Sequence, residues 1–79
     1  MIIRNEKQLG DLIRTARRKK DWRQIDLARK ASTTQKAISN LETGAFSSRL
    51  DTVLKVLAAL DLDLTVTDRQ PATFTASAY

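Results

Sequence analysis

Thr34, Gln35, Lys36, Ser39 and Asn40 carry hydrogen-bond donors, acceptors and one cation at spacings that share a face if the stretch is helical. Side chains of these types read base edges in the major groove of DNA. A solvated helix face has the same composition, so the five residues alone admit both readings. What separates the readings is the framework that would hold them.

That framework is legible on either side. Ile25, Leu27, Ala28 and Ala31 form an apolar stripe at near-helical spacing, and Ala37, Ile38 and Leu41 form a second. Neither segment is long enough to persist as an isolated helix. Between them, at Ala31-Ser32-Thr33-Thr34, the apolar period breaks and hydroxyl residues supply a turn followed by an N-cap, assigned to Thr34. Two helices joined by a tight turn make a helix-turn-helix unit. With Ala37, Ile38 and Leu41 turned inward, the five polar residues face out. Gln35, Lys36 and Ser39 are the first candidates for base edges.

From Trp22 to Gly44 the chain resembles the Xre/Cro-type helix-turn-helix repressors, whose pattern runs roughly T-Q-x-x-L-A-x-x-x-G-V-S-Q-x-x-I-S-x-(apolar)-E-x-G. Gln24, Leu27, Ala28, Gln35, Ile38, Ser39, Leu41, Glu42 and Gly44 fall on its matching positions. The resemblance implies sequence-specific DNA binding, with Gln24 at the DNA backbone, where side-chain amides and helix N-termini meet phosphates. Arg23 stands where the family has a hydroxyl N-cap, a loss of about 1 kcal/mol, and it offers a cation to phosphate in compensation. Ser32 replaces the turn glycine, which predicts a non-glycine residue at positive φ. Glu42 reads as structural, because a carboxylate on a DNA face repels phosphate.

Before this unit, Asn5 and Gln8 resemble a capping box, and Leu9, Leu12, Ile13 and Ala16 recur at i, i+3, i+4 and i+7, predicting a helix over about 6–20. Its last turn holds Arg17, Arg18, Lys19 and Lys20, cations that complement the helix dipole or reach phosphate. Met1-Ile2-Ile3 is compatible with a frayed end or a brief strand. Trp22 is read as a packing anchor at the junction.

After Gly44, suited to a left-handed helix end, Ser47, Ser48 and Arg49 lie in a loop and, with Arg23, Gln24 and Asn40, are the candidates for phosphate contact. Ser48 with Asp51 also fits a capping box, and for Ser48 capping is preferred. Leu50, Val53, Leu54, Leu57 and Leu60 predict a fourth helix over about 49–60. Leu62, Leu64 and Val66 then alternate with Asp63, Thr65 and Thr67, which predicts a strand. A lone strand must find a partner, either Met1–Ile3 or the same strand of a second copy. The second copy is preferred, since two-fold pairing supplies the dimer that a palindromic operator requires. Arg69 to Tyr79 is polar and aperiodic, a flexible tail, and residues 1–68 make the single domain. Phe74 and Tyr79 in the tail are weak candidates for docking another protein.

The chain has 79 residues with neither cysteine nor histidine, so disulfides, thiolate or imidazole metal sites and Cys- or His-based catalysis are excluded. No acidic and basic residues are spaced as an acid-base couple, and no enzyme activity or cofactor is expected. Residues 1–49 hold twelve Lys and Arg against five Asp and Glu, whereas residues 50–79 hold two against four. Basic charge therefore sits with the helix-turn-helix, as a polyanion-binding domain requires. No apolar run approaches the roughly 18 residues of a membrane span, and the basic run ends a helix rather than facing a broad apolar stripe, so neither a span nor a membrane-surface helix is expected. A cytoplasmic, nucleoid-associated protein follows.

Taken together, the layout predicts an all-α, compact four-helix domain of the lambda-repressor-like kind with a C-terminal strand that pairs across a homodimer. Over about residues 5–67 it is similar to the HipB-type antitoxins within the Xre family. That resemblance implies a homodimer that represses its own operon from a palindromic operator and holds a HipA-type serine/threonine kinase toxin inactive. A free-standing Xre regulator shares the same DNA chemistry and stays open as the alternative.

Overall fold

The computed structural model describes residues 2–45 and 49–69. Among these residues four helices run in order: α1 Glu6–Lys19, α2 Gln24–Lys30, α3 Gln35–Thr43 and α4 Leu50–Ala59. Asn5 caps α1 as the sequence predicts, its side-chain oxygen accepting from Gln8 N–H at 2.9 Å. Gln8 reaches back to the Arg4 N–H at 2.6 Å, one residue beyond the expected partner.

α1 packs on α3, and α2 packs on both α3 and α4. Ile13, Leu27, Ile38, Leu41 and Val56 are wholly buried at the centre, each stabilising the fold by roughly 1.5–3 kcal/mol through loss of apolar surface. Gly10 permits the α1–α3 approach: a Cβ there would overlap the Leu41 carbonyl oxygen and lie 2.8 Å from that of Glu42. Trp22 packs against this core as an anchor, with Lys20 Nζ 5.3 Å and Lys30 Nζ 4.9 Å from its ring centroid.

Three helices end in the same way. At the end of α1, Asp21 N–H donates to Arg18 O and Trp22 N–H to Arg17 O; at α2, Ser32 N–H donates to Arg29 O and Thr33 N–H to Ala28 O; at α4, Asp61 N–H donates to Ala58 O and Leu62 N–H to Leu57 O. These are Schellman caps, and the residue each places in the left-handed region is Asp21, Ser32 or Asp61, with φ of 59°, 56° and 59°. Aspartate tolerates that region better than most side chains, serine less so. The predicted positive φ at Ser32 is therefore present, fixed by two backbone bonds. α3 ends instead at Gly44, φ 76°.

Two expectations are corrected, both at α4. α4 buries Val56 along with Val53, Leu57 and Leu60, while Leu50 is 65% exposed and Leu54 is also exposed; the stripe is turned because α2 covers only one side of α4. The N-cap of α4 falls on Arg49, whose side chain makes no cap bond, so the helix begins one residue later than a Ser48 cap requires; Ser48 itself lies outside the described residues. No strand forms among the described residues. Leu62 is part of the α4 cap, with its N–H committed to Leu57 O and its side chain packed on the core. Leu64 and Val66 stay exposed, Val66 at 89%, because a single chain offers their backbone no ladder. Ile2 and Ile3 belong to no element. The expected tail from residue 70 onward, with Phe74 and Tyr79, lies outside the described residues, as does Met1.

Candidate nucleic-acid interface

The outward face of α3 is set by its cap. Thr34 Oγ1 accepts from Ala37 N–H at 3.1 Å, as predicted, which uses a lone pair and leaves the hydroxyl hydrogen to donate. Ile38 and Leu41 are buried, and Thr34, Gln35, Lys36 and Asn40 are exposed, with Ser39 half-buried between them. All five predicted base-reading residues therefore reach the surface of α3 or its N-cap. The side chains of Gln35, Lys36, Ser39 and Asn40 make no hydrogen bond or ion pair among the described residues. Their donors and acceptors face solvent and remain available to a ligand.

The C-terminal end of the same helix is bonded throughout. Glu42 is buried; Arg17 Nε donates to its Oε2 at 2.6 Å, Arg17 Nη2 to its Oε1 at 3.0 Å, and Gln24 Nε2 to its Oε1 at 3.2 Å. A third arm of Arg17, Nη1, donates to the Trp22 carbonyl at 2.7 Å. The side-chain bond to Glu42 raises the Arg17 pKa further above its ordinary value. Glu42 is structural, as the sequence suggests. Arg17 is structural too, against expectation: grouped by sequence with the surface cations, it is buried and committed to Glu42, so the basic run that reaches solvent contracts to Arg18, Lys19 and Lys20. Lys20 is in turn paired with Asp61 at 3.1 Å. The spacing that betrays Arg17 is its position seven after Gly10 and four after Ile13, on the buried face of α1.

The predicted phosphate contacts divide into three groups. Gln24 is half-buried at the start of α2, with its amide bonded to Glu42. Arg23 is exposed, but its fork is engaged: Nε and Nη2 each reach Asp26 at 3.1 Å, and Asp26 also accepts the Arg23 N–H at 2.8 Å. An arginine side chain has no acceptor, so only this reciprocal half of a capping box forms at α2. The guanidinium and backbone bonds from Arg23 pull the Asp26 pKa down from 3.8 to about 2. Arg49 is exposed and paired with Asp51 at 3.3 Å. Ser47 and Ser48 lie outside the described residues. Two shallow grooves, of about 430 and 400 Å³, lie elsewhere, between Lys30, Lys55 and Ala58 and between Leu12, Ala16 and Leu62. No described helix is long and apolar enough to cross a membrane.

Known proteins resolve what kind of helix-turn-helix this is. The helix-turn-helix family model matches residues 13–66. Antitoxin HipB of Escherichia coli K12 is 34% identical over 65 residues, covering 82% of this chain and 74% of that protein; HipB of E. coli O6:H1 is equally similar. Among solved structures, the HipB chain of a HipA-HipB-O2-O3 complex superposes with a TM-score of 0.80 at 31% identity over 89% of this chain and 99% of its own. A HipB-O4 20mer complex gives the same values. This chain belongs to the helix-turn-helix family and, within it, to the HipB antitoxins.

Proposed function

We propose that the protein is the DNA-binding antitoxin of a HipBA-type toxin-antitoxin module. It acts as a homodimeric repressor on a palindromic operator upstream of its own gene, and it neutralises a HipA-type serine/threonine kinase. It is not itself an enzyme and works in the cytoplasm, at the nucleoid. The observation that carries this reading is the set of unbonded polar side chains on α3, held outward by a buried inner face on a helix-turn-helix frame. Gln35, Lys36 and Ser39 read base edges, with Thr34 and Asn40 beside them, while Gln24, Arg23, Asn40 and the 47–49 loop hold the backbone. Similar HipB chains have been solved together with HipA and with an O4 20mer, which supports both halves of the reading. Leu64 and Val66 supply the exposed apolar residues through which residues 62–67 of two copies pair, with Leu62 anchoring the segment to each core.

The test is a fluorescence-anisotropy titration against the duplex upstream of the gene at two salt concentrations, with unrelated duplex as competitor. Binding that resists competitor, weakens with salt and saturates at two chains per site is expected. Equal binding to both duplexes rejects the repressor assignment. Mixing with a HipA-type kinase should yield a co-eluting, inactive complex; a kinase that stays free and active leaves a free-standing regulator.

A further inference from the structure

Glu42 is the one acidic residue of α3 and the reading of the outward face leaves it without a part. Its carboxylate joins three elements: α1 through Arg17, the start of α2 through Gln24, and α3 itself. A carboxylate whose two oxygens already accept from a guanidinium at 2.6 and 3.0 Å offers a further partner only acceptors. Gln24 can therefore approach it only through nitrogen. A glutamine amide is otherwise free to turn over, exchanging an NH2 group for a carbonyl oxygen of nearly the same shape. Phosphate oxygens accept hydrogen bonds, so a turned amide would present an acceptor to an acceptor.

We propose that Glu42, neutralised by Arg17, is a positioning residue for DNA binding: it fixes the Gln24 carboxamide in the orientation that keeps one N–H free to donate to a backbone phosphate. Glu42 takes one of the two amide hydrogens, and the second is the phosphate donor. Arg17 contributes by cancelling a carboxylate charge that would otherwise oppose the approaching polyanion. This inference rests on the proposed role of Gln24 at the backbone and adds the residues that make that role directional.

A double-mutant cycle tests it. Q24A, E42Q and the double variant of the full chain are titrated with the duplex upstream of the gene at two salt concentrations, each at a temperature where its unfolding curve shows it folded. Each single substitution should weaken binding about three- to tenfold, the scale of one hydrogen bond to phosphate, and the double variant should bind no more weakly than either single one. The salt dependence of Q24A should stay as steep as in the parent, because a neutral amide displaces no counterion. If the loss from E42Q persists undiminished in the Q24A background, Glu42 does not act through Gln24 and the inference falls while Gln24 keeps its role. If Q24A binds like the parent, the phosphate role and the inference fall together. Tighter binding by E42Q with a steeper salt dependence would mean that a released Arg17 reaches phosphate, which also overturns the proposal. Should E42Q fail to fold, R17M/E42L replaces the ion pair with apolar groups, an exchange that buried pairs tolerate, and the cycle with Q24A is read in that background with the same outcomes.

Discussion

The two ends of α3 are built on opposite plans. At its N-terminal end the polar side chains of Gln35, Lys36, Ser39 and Asn40 reach solvent with no protein partner among the described residues. At its C-terminal end Glu42 is buried and accepts from Arg17 twice and from Gln24 once. One helix thus carries a solvated face without protein partners and a joint whose polar groups are bonded within the fold. Stability and recognition are therefore separable along nine residues: a substitution at one end should destabilise the protein, and at the other it should leave stability intact.

The sharpest way to break this separation is Arg17→Ala. It strands the Glu42 carboxylate in a site where Arg17 and Glu42 are 9% and 5% exposed, and breaking a buried pair by removing one partner costs about 3–5 kcal/mol. Urea unfolding should show a much lower midpoint. An unchanged midpoint would mean that Glu42 is reached by water in solution and that the joint is not what holds α1 to α3.

At the other end, Gln35→Ala and Lys36→Ala should each leave the urea midpoint in place while weakening operator binding by about 1–3 kcal/mol and relaxing preference at one base pair. Loss of stability in either variant, without loss of sequence preference, would collapse the distinction and return this face to the role of a solvated surface.

The HipB-type fold was readable in the sequence where local chemistry and packing agree. Thr34 caps α3, Asn5 caps α1 and Gly44 ends α3 at positive φ as the residue types require. Periodicity failed where one residue type serves two environments. Arg17 sits among Arg18, Lys19 and Lys20 as one more cation, and only its alignment with Gly10 and Ile13 on the buried face sets it apart. Leu50 and Leu54 fit the apolar stripe of α4 as well as Val56 does, yet they face solvent, because which side of a helix is covered is decided by a neighbour far along the chain. The alternation at 62–67 is a true pattern whose first member, Leu62, was taken up by a helix cap. Pairing between copies is a property of two chains, and one sequence carries only half of it.

Ser32→Gly probes the turn that sets the angle between α2 and α3. Ser32 holds φ 56° with its N–H on Arg29 O at 3.3 Å. Relieving a side chain of the left-handed region outweighs the extra freedom glycine has when unfolded, so a gain of about 0.5–1 kcal/mol is expected. DNA affinity should not change, since the turn geometry is already met. A gain in stability accompanied by weaker operator binding would show that the strained turn contributes to recognition, and the two functions would no longer divide at α3.

The smallest effect belongs to the start of α2, which shares features of both ends: Arg23 and Asp26 are mutually bonded yet open to solvent. Bonds from the Arg23 side chain and backbone N–H lower the Asp26 pKa from 3.8 to about 2. A depressed folded-state pKa means that the unfolded chain takes up the proton first as the pH falls. The contribution of Asp26 is therefore complete above pH 3.8, declines below it, and is gone once the pH passes through about 2. Asp26→Asn keeps an oxygen for the Arg23 N–H and removes the titration. Urea midpoints of parent and variant should differ slightly and constantly at neutral pH, then converge between pH 4 and pH 2, where a protonated aspartate and an asparagine present nearly the same groups. A difference that persists to pH 2 would mean that the carboxylate does not titrate against Arg23. Arg23 would then be a free cation at the start of α2, belonging with the face without protein partners rather than with the joint.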